Sequence, residues 1–147
     1  MNSKGITLVE LIVVFVIIAF MALLMAPNIG AWLPNYRLKS ATRDIVSTFR
    51  GAQMRAISEN ISYQVSFNSA DTLLANNKGY VFGGTVTTLP SGITIVQNSL
   101  QNLRAVFNPD SSCALGAATS ATITLQNAKG AQRTISIRSV TGKVTSQ

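Results

Sequence analysis

An apolar run near the N-terminus that contains a single acidic residue constrains the fold of this chain more than any other feature. Residues 11–26 carry no charge, and the run extends back over Glu10 to Ile6. A segment of about 20 apolar residues is long enough to cross a bilayer as one helix. A carboxylate at the bilayer centre costs about 2.5–3.5 kcal/mol. The position of Glu10 therefore requires an explanation.

Only residues 1–5 precede this apolar run, and Lys4 gives them one positive charge. A short basic leader predicts a cytoplasmic N-terminus and a C-terminal domain on the far side of the membrane. A conventional secretory signal would be cut shortly after its apolar core. Pro27 stands where that cut would fall, and this disfavours a cleaved secretory signal.

The stretch Lys-Gly-Ile-Thr-Leu-Val-Glu-Leu at residues 4–11 resembles the prepilin signature of type IV pilins and type II secretion pseudopilins. The resemblance implies that a prepilin peptidase cuts after Gly5 and methylates the new N-terminus, Ile6. The apolar segment would stay on the mature protein. The family more often begins with Phe or Met, so Ile6 is a mild departure.

This processing would explain Glu10, which becomes the fifth residue of the mature chain. A carboxylate in hydrocarbon needs a cation, and cleavage creates one, the amine of Ile6. In a helical stack, Glu10 of one subunit would meet the Ile6 amine of its neighbour and set the axial register. The alternative is a simple bitopic anchor in which an interfacial Glu10 is tolerated.

Two prolines interrupt the predicted helix. Pro27 falls where many type IV pilins carry a proline, and Pro34 follows closely. Proline removes a helical hydrogen bond, so we expect a kink at each position. Trp32 and Tyr36 lie where the helix would leave the membrane, as interfacial anchors do.

The second half of the helix and the residues after it predict an α+β fold. An apolar stripe with helical spacing should pack on a sheet, and it consists of Ala41, Ile45, Phe49, Ala52 and Ala56. After Asn60 the apolar period changes to two, and strands are predicted at 62–68, 79–86, 93–97, 103–107, 121–126, 133–138 and 142–145. The sequence Asn-Ala-Lys-Gly at residues 127–130 predicts a hairpin between the strands that flank it. We expect a long N-terminal helix, transmembrane then amphipathic, packed on an antiparallel β-sheet.

The predicted organisation is a prepilin leader at 1–5, a transmembrane and assembly helix at 6–33, and a periplasmic globular domain at 34–147. Within pilin-like proteins, four segments resemble the GspH/FimT family: 50–58, 89–93, 107–110 and 141–144. This resemblance implies a minor pseudopilin or minor pilin in the bacterial inner membrane. It would assemble with other pilins into a hetero-oligomeric filament, with a secreted protein cargo as a further partner.

The composition excludes most enzymes. The chain has no His and one Cys, so neither a Ser-His-Asp triad nor an ordinary zinc site is possible. We expect no catalytic residue, no metal and no cofactor. Cys113 has no partner for an intramolecular disulfide, which leaves a small loop or core residue, an intermolecular crosslink or a lipidated thiol.

The formal net charge of +7 keeps a nucleic-acid partner open. Some FimT proteins bind DNA through a C-terminal Gly-Arg-x-Arg motif, where this chain has Gly-Lys-Val-Thr at residues 142–145. Arg133, Arg138 and Lys143 are the remaining candidates for contact with DNA or a partner. A separate basic stripe on the predicted helix contains Lys39, Arg43 and Arg50, either solvated or in contact with neighbouring subunits.

Overall fold

The computed structural model describes residues 6–25, 29–67, 78–116 and 118–147. The chain divides into two compact units, Met1–Leu33 and Pro34–Gln147. Of the positions singled out above, Lys4, Gly5 and the rest of the predicted leader at 1–5, Pro27, and Asn68 at the end of the predicted strand 62–68 lie outside the described residues.

Helix α1 spans Leu8–Met25. Thr7 caps it, because the Thr7 hydroxyl oxygen accepts a hydrogen bond from the Glu10 backbone N–H at 3.3 Å. The Thr7 carbonyl oxygen also accepts the first helical bond, from the Leu11 N–H at 3.2 Å. Among helices in the described part of the chain, none is both long enough and apolar enough to cross a membrane.

Helix α2 spans Ile29–Glu59 and continues through Pro34. Because proline has no N–H, the carbonyl of Gly30 lacks its usual helical partner there. The helix ends at Glu59, and Asn60 follows it with a left-handed φ of 54°. The predicted apolar stripe is confirmed, since each of its five residues is buried. The buried hydroxyl of Thr42 beside it donates to the carbonyl oxygen of Leu38 at 2.8 Å.

The strands of the described residues form two antiparallel sheets, where the sequence predicted one. The first sheet has the order β3-β2-β1-β5-β6 and the second has the order β4-β7-β8-β9. The strands are β1 Tyr63–Ser66, β2 Gly79–Phe82, β3 Thr85–Thr88, β4 Ile93–Asn98, β5 Arg104–Phe107, β6 Cys113–Ala114, β7 Ser120–Asn127, β8 Gln132–Arg138 and β9 Val144–Ser146. The antiparallel α+β class is as predicted.

Two tight turns each join a pair of neighbouring strands. Gly83 and Gly84 have positive φ values of 58° and 78°, which lets a two-residue turn join β2 to β3. The predicted hairpin between β7 and β8 is confirmed. In it, the side-chain oxygen of Asn127 accepts hydrogen bonds from the N–H groups of Lys129 at 3.0 Å and Ala131 at 2.9 Å.

The core lies between α2 and the sheets, and Phe49 is its central aromatic residue. The Phe49 ring lies 6.0 Å from that of Phe67 and 5.7 Å from that of Phe107, centroid to centroid. Cys113 is also part of the core, and burial raises the pKa of its thiol to about 11. This position agrees with the small core residue among the alternatives for Cys113.

Candidate functional site

The described site residues of the N-terminal segment lie at the beginning of α1. Ile6 precedes the helix and is 76% exposed, and Glu10 lies in the first turn with an exposed side chain. The pattern Thr-x-x-Glu at residues 7–10 is that of a capping box, and a negative charge is favourable at this helix end. The Thr-x-x-Glu spacing already indicates this cap in the sequence, although no cap was predicted there.

The remainder of α1 exposes apolar side chains on every side. A helix that is apolar all round is stable only against lipid or other apolar protein surface. The large side chains of α1, each about half exposed or more, are Leu8, Val9, Leu11, Ile12, Val13, Val14, Phe15, Val16, Ile17, Ile18, Phe20, Met21 and Leu23.

In the globular unit, Gln53 connects α2 to two loops that are distant in the sequence. Its side-chain amide donates to the carbonyl oxygens of Ser111 at 2.9 Å and Thr141 at 3.2 Å. The buried Gly142 completes this junction. It has φ +56°, and a Cβ there would collide with the Ser111 carbonyl oxygen and the Gln53 side chain.

The loop that meets Gln53 is held by Asp110. One carboxylate oxygen of Asp110 accepts hydrogen bonds from the Ser112 hydroxyl at 2.6 Å and the Ser112 N–H at 3.0 Å. These two bonds, the hydroxyl bond first, lower the pKa of Asp110. The carboxylate thus fixes the turn that presents the Ser111 carbonyl to Gln53.

Two further polar contacts fasten the beginning of the globular unit. The guanidinium of Arg37 donates to the Ser91 hydroxyl oxygen at 3.0 Å and to the Ser91 carbonyl oxygen at 3.3 Å. The side-chain amide of Asn127 donates to the side-chain oxygen of Asn35 at 2.9 Å. The segments 89–93, 107–110 and 141–144, which were singled out from the sequence, thus lie at or beside the points where α2 is attached.

The structure brings together two of the three basic candidates in the C-terminal part. The Arg138 N–H donates to the Lys143 carbonyl oxygen at 3.1 Å, and both side chains are exposed. Arg133 lies five residues earlier on β8, about 17 Å along the strand and on the opposite face of the sheet. The three residues therefore do not form one basic end.

The comparisons with known proteins agree with this architecture. Residues 1–26 match the family model of the prokaryotic N-terminal methylation motif. Comparison of the chain with curated proteins gave no match.

Two crystal forms of the Pseudomonas aeruginosa type IV minor pilin FimU are similar in structure. One has a TM-score of 0.57 at 16% identity, covering 77% of this chain and 90% of FimU. The other has a TM-score of 0.53 at 17% identity, covering 75% and 92%. The chain thus combines an N-terminal methylation motif with a pilin-like fold.

Proposed function

We propose that this protein is a non-enzymatic minor subunit of a type IV pilin-like filament. It would be a minor pilin or a minor pseudopilin of a type II secretion system, as its resemblance to GspH and FimT proteins suggests. The observation that carries the proposal is the methylation motif at residues 1–26, joined to a domain with the fold of a minor pilin.

In this proposal the N-terminus is the assembly site. Prepilin peptidase cuts after Gly5 on the cytoplasmic side and methylates Ile6. The helix then anchors the subunit in the inner membrane, with the domain at 34–147 in the periplasm, until the subunit enters the filament. There, Glu10 pairs with the Ile6 amine of the adjacent subunit, so that the buried carboxylate is compensated only in the correct register. Pro27 and Pro34 let the helix bend where it leaves the membrane.

The first test is the intact mass and the N-terminal peptide of the protein isolated from its own membranes. A chain that begins with methylated Ile6 is expected. A chain that retains Lys4 and Gly5 would contradict the proposal and leave a simple bitopic anchor.

The second test concerns assembly and uses Glu10→Gln in the full-length protein. Removing one partner of a buried ion pair costs about 3–5 kcal/mol, so we expect the share of subunit in sheared filaments to fall more than about tenfold. Glu59→Gln is the matched control, because Glu59 is an exposed carboxylate in the globular unit. Equal assembly of the two variants would remove the role of Glu10.

DNA capture, as in FimT-like minor pilins, is the second candidate function. It is favoured by the adjacent exposed side chains of Arg138 and Lys143 and by the net charge of +7. Binding through phosphates would weaken steeply with added salt. The full chain in detergent micelles should then retard duplex DNA at low salt, and Arg138→Ala should reduce the effect. The absence of any shift at low salt would exclude this function.

A further inference from the structure

Helix α2 has a solvent-facing stripe that the core does not use. Residues 39, 43, 47, 50 and 54 recur at intervals of three and four and therefore share one face of the helix. All five side chains are exposed, and Met54 is 70% exposed. Three of the five are cations: Lys39, Arg43 and Arg50. This face is called the basic stripe below.

The cations of the basic stripe differ from the other two arginines of α2. Arg37 donates to Ser91, and the Arg55 guanidinium lies 5.4 Å above the centre of the Phe82 ring. Within the described ranges, no side chain or backbone group forms a hydrogen bond or ion pair with the side chains of Lys39, Arg43 or Arg50. The fold thus uses two of its five α2 cations and leaves three to solvent.

A groove opens beside the basic stripe, with a volume of about 470 Å³. Gly51 lines this groove, and nothing lies within 4 Å of the position that its Cβ would occupy, so the groove is open over this glycine. Val46 and Met54 give the groove an apolar component. Its lining residues, which define the α2 groove, are Arg43, Val46, Ser47, Arg50, Gly51, Met54 and Ser146.

We infer that the α2 groove is the contact face for an acidic segment of a different filament subunit. Carboxylates of that segment pair with Arg43 and Arg50, and an apolar side chain between them enters the hollow over Gly51. Charge complementarity across an interface of this kind selects the partner and fixes its orientation. The inference rests on the proposed function and adds to it the contact face and the chemistry of the neighbour.

A second copy of this chain is a poor occupant on grounds of charge. The whole chain has five acidic residues against 12 basic ones. Of the three side-chain carboxylates in the described part of the globular unit, Glu59 accepts a hydrogen bond from the Tyr63 hydroxyl and Asp110 is engaged with Ser112. The third, Asp44, is exposed, but a single carboxylate does not make an acidic segment. Two positively charged copies would repel each other across this face.

The first part of the test identifies the occupant. A photoreactive amino acid replaces Gly51 in the full-length protein, which is irradiated in its own membranes, and the adduct is identified by mass spectrometry. We expect a peptide of another protein that carries an N-terminal methylation motif, with Asp or Glu at or beside the crosslinked residue. Adducts only with a second copy of this chain, lipid or nucleic acid would overturn the inference, as would the absence of adducts.

The second part of the test measures how much the charges of Arg43 and Arg50 contribute to binding the partner. Arg43→Glu with Arg50→Glu should lower both the crosslink yield and the assembled fraction by about tenfold or more, because like charges would then face each other. Arg104→Glu with Lys129→Glu makes the same change in net charge at exposed positions elsewhere and should change both by less than about twofold. Both double variants should unfold at similar temperatures.

The outcomes separate this inference from the proposed function. If the parent protein is processed and assembled, and the Arg43/Arg50 variant assembles equally well, the groove is not the contact face and the filament function stands. If the parent protein is neither processed nor found in filaments, the proposed function fails, and the inference fails with it.

Discussion

Replacement of Gln53 by alanine tests whether the junction between α2 and the two loops stabilises the globular unit. The substitution removes both donated hydrogen bonds, to Ser111 at 2.9 Å and to Thr141 at 3.2 Å. Each such bond contributes about 0.5–1.5 kcal/mol net. The bond to Thr141 is longer and solvent-exposed, so we expect a total loss of about 1–2 kcal/mol in the free energy of unfolding.

This loss converts to a measurable shift in the midpoint of thermal unfolding. For a unit of this size, we expect the midpoint to fall by about 3–8 °C. The full chain in mild detergent is heated while the circular dichroism of the β-sheets is recorded. Met54→Ala is the matched control, because Met54 is the next residue on the same helix and is largely exposed.

Gln53→Glu sharpens the test. A carboxylate has nearly the same shape as the amide but no donor, and it would face two carbonyl oxygens. We therefore expect Gln53→Glu to lower the midpoint at least as much as Gln53→Ala at neutral pH. If both variants unfold at the temperature of Met54→Ala, the two hydrogen bonds contribute nothing and the reasoning about the junction is wrong.

Two further predictions concern the core and the Asp110 loop. Phe49→Ala should lower the free energy of unfolding by about 3–5 kcal/mol, because the ring is fully buried between Phe67 and Phe107. Urea unfolding would measure this, and a loss below about 1 kcal/mol would mean that the core is not centred on Phe49. The Ser112 bonds lower the pKa of Asp110, so the stability that they add is present above the ordinary Asp pKa and is lost as the pH falls through the lowered value. The midpoint of thermal unfolding should therefore fall in acid in the parent protein and fall less in Asp110→Asn. If the midpoints of the two proteins change with pH in parallel, the Ser112 bonds to Asp110 do not cause the loss.

Local patterns in the sequence were sufficient to predict much of the fold. The spacing of Ile45 and Phe49 placed the buried face of α2, because a helical period needs only neighbouring turns to be visible. The turn at residues 127–130 identified the β7–β8 hairpin for the same reason. The division into two sheets was not predicted, because it depends on pairings such as β5 with β6 that no local period encodes.

Some residues of the candidate site could likewise be predicted from the sequence, and others could not. Glu10 was identified because the sequence alone reveals a charge in an apolar run. Gln53 was missed, because a glutamine on an amphipathic helix looks like any solvent-facing residue until its distant partners are known. The separation of Arg133 from Arg138 was predictable, since five residues along a strand reverse the side-chain direction.

The contact between Gln53 and Thr141 joins residues 88 positions apart. A contact of such long range forms late, because the entropy of closing the intervening loop must be overcome first. The second half of α2 therefore gains this attachment only after the 88 residues that follow Gln53 have been synthesised and have emerged. The N-terminal helix can therefore be complete well before the domain behind it closes.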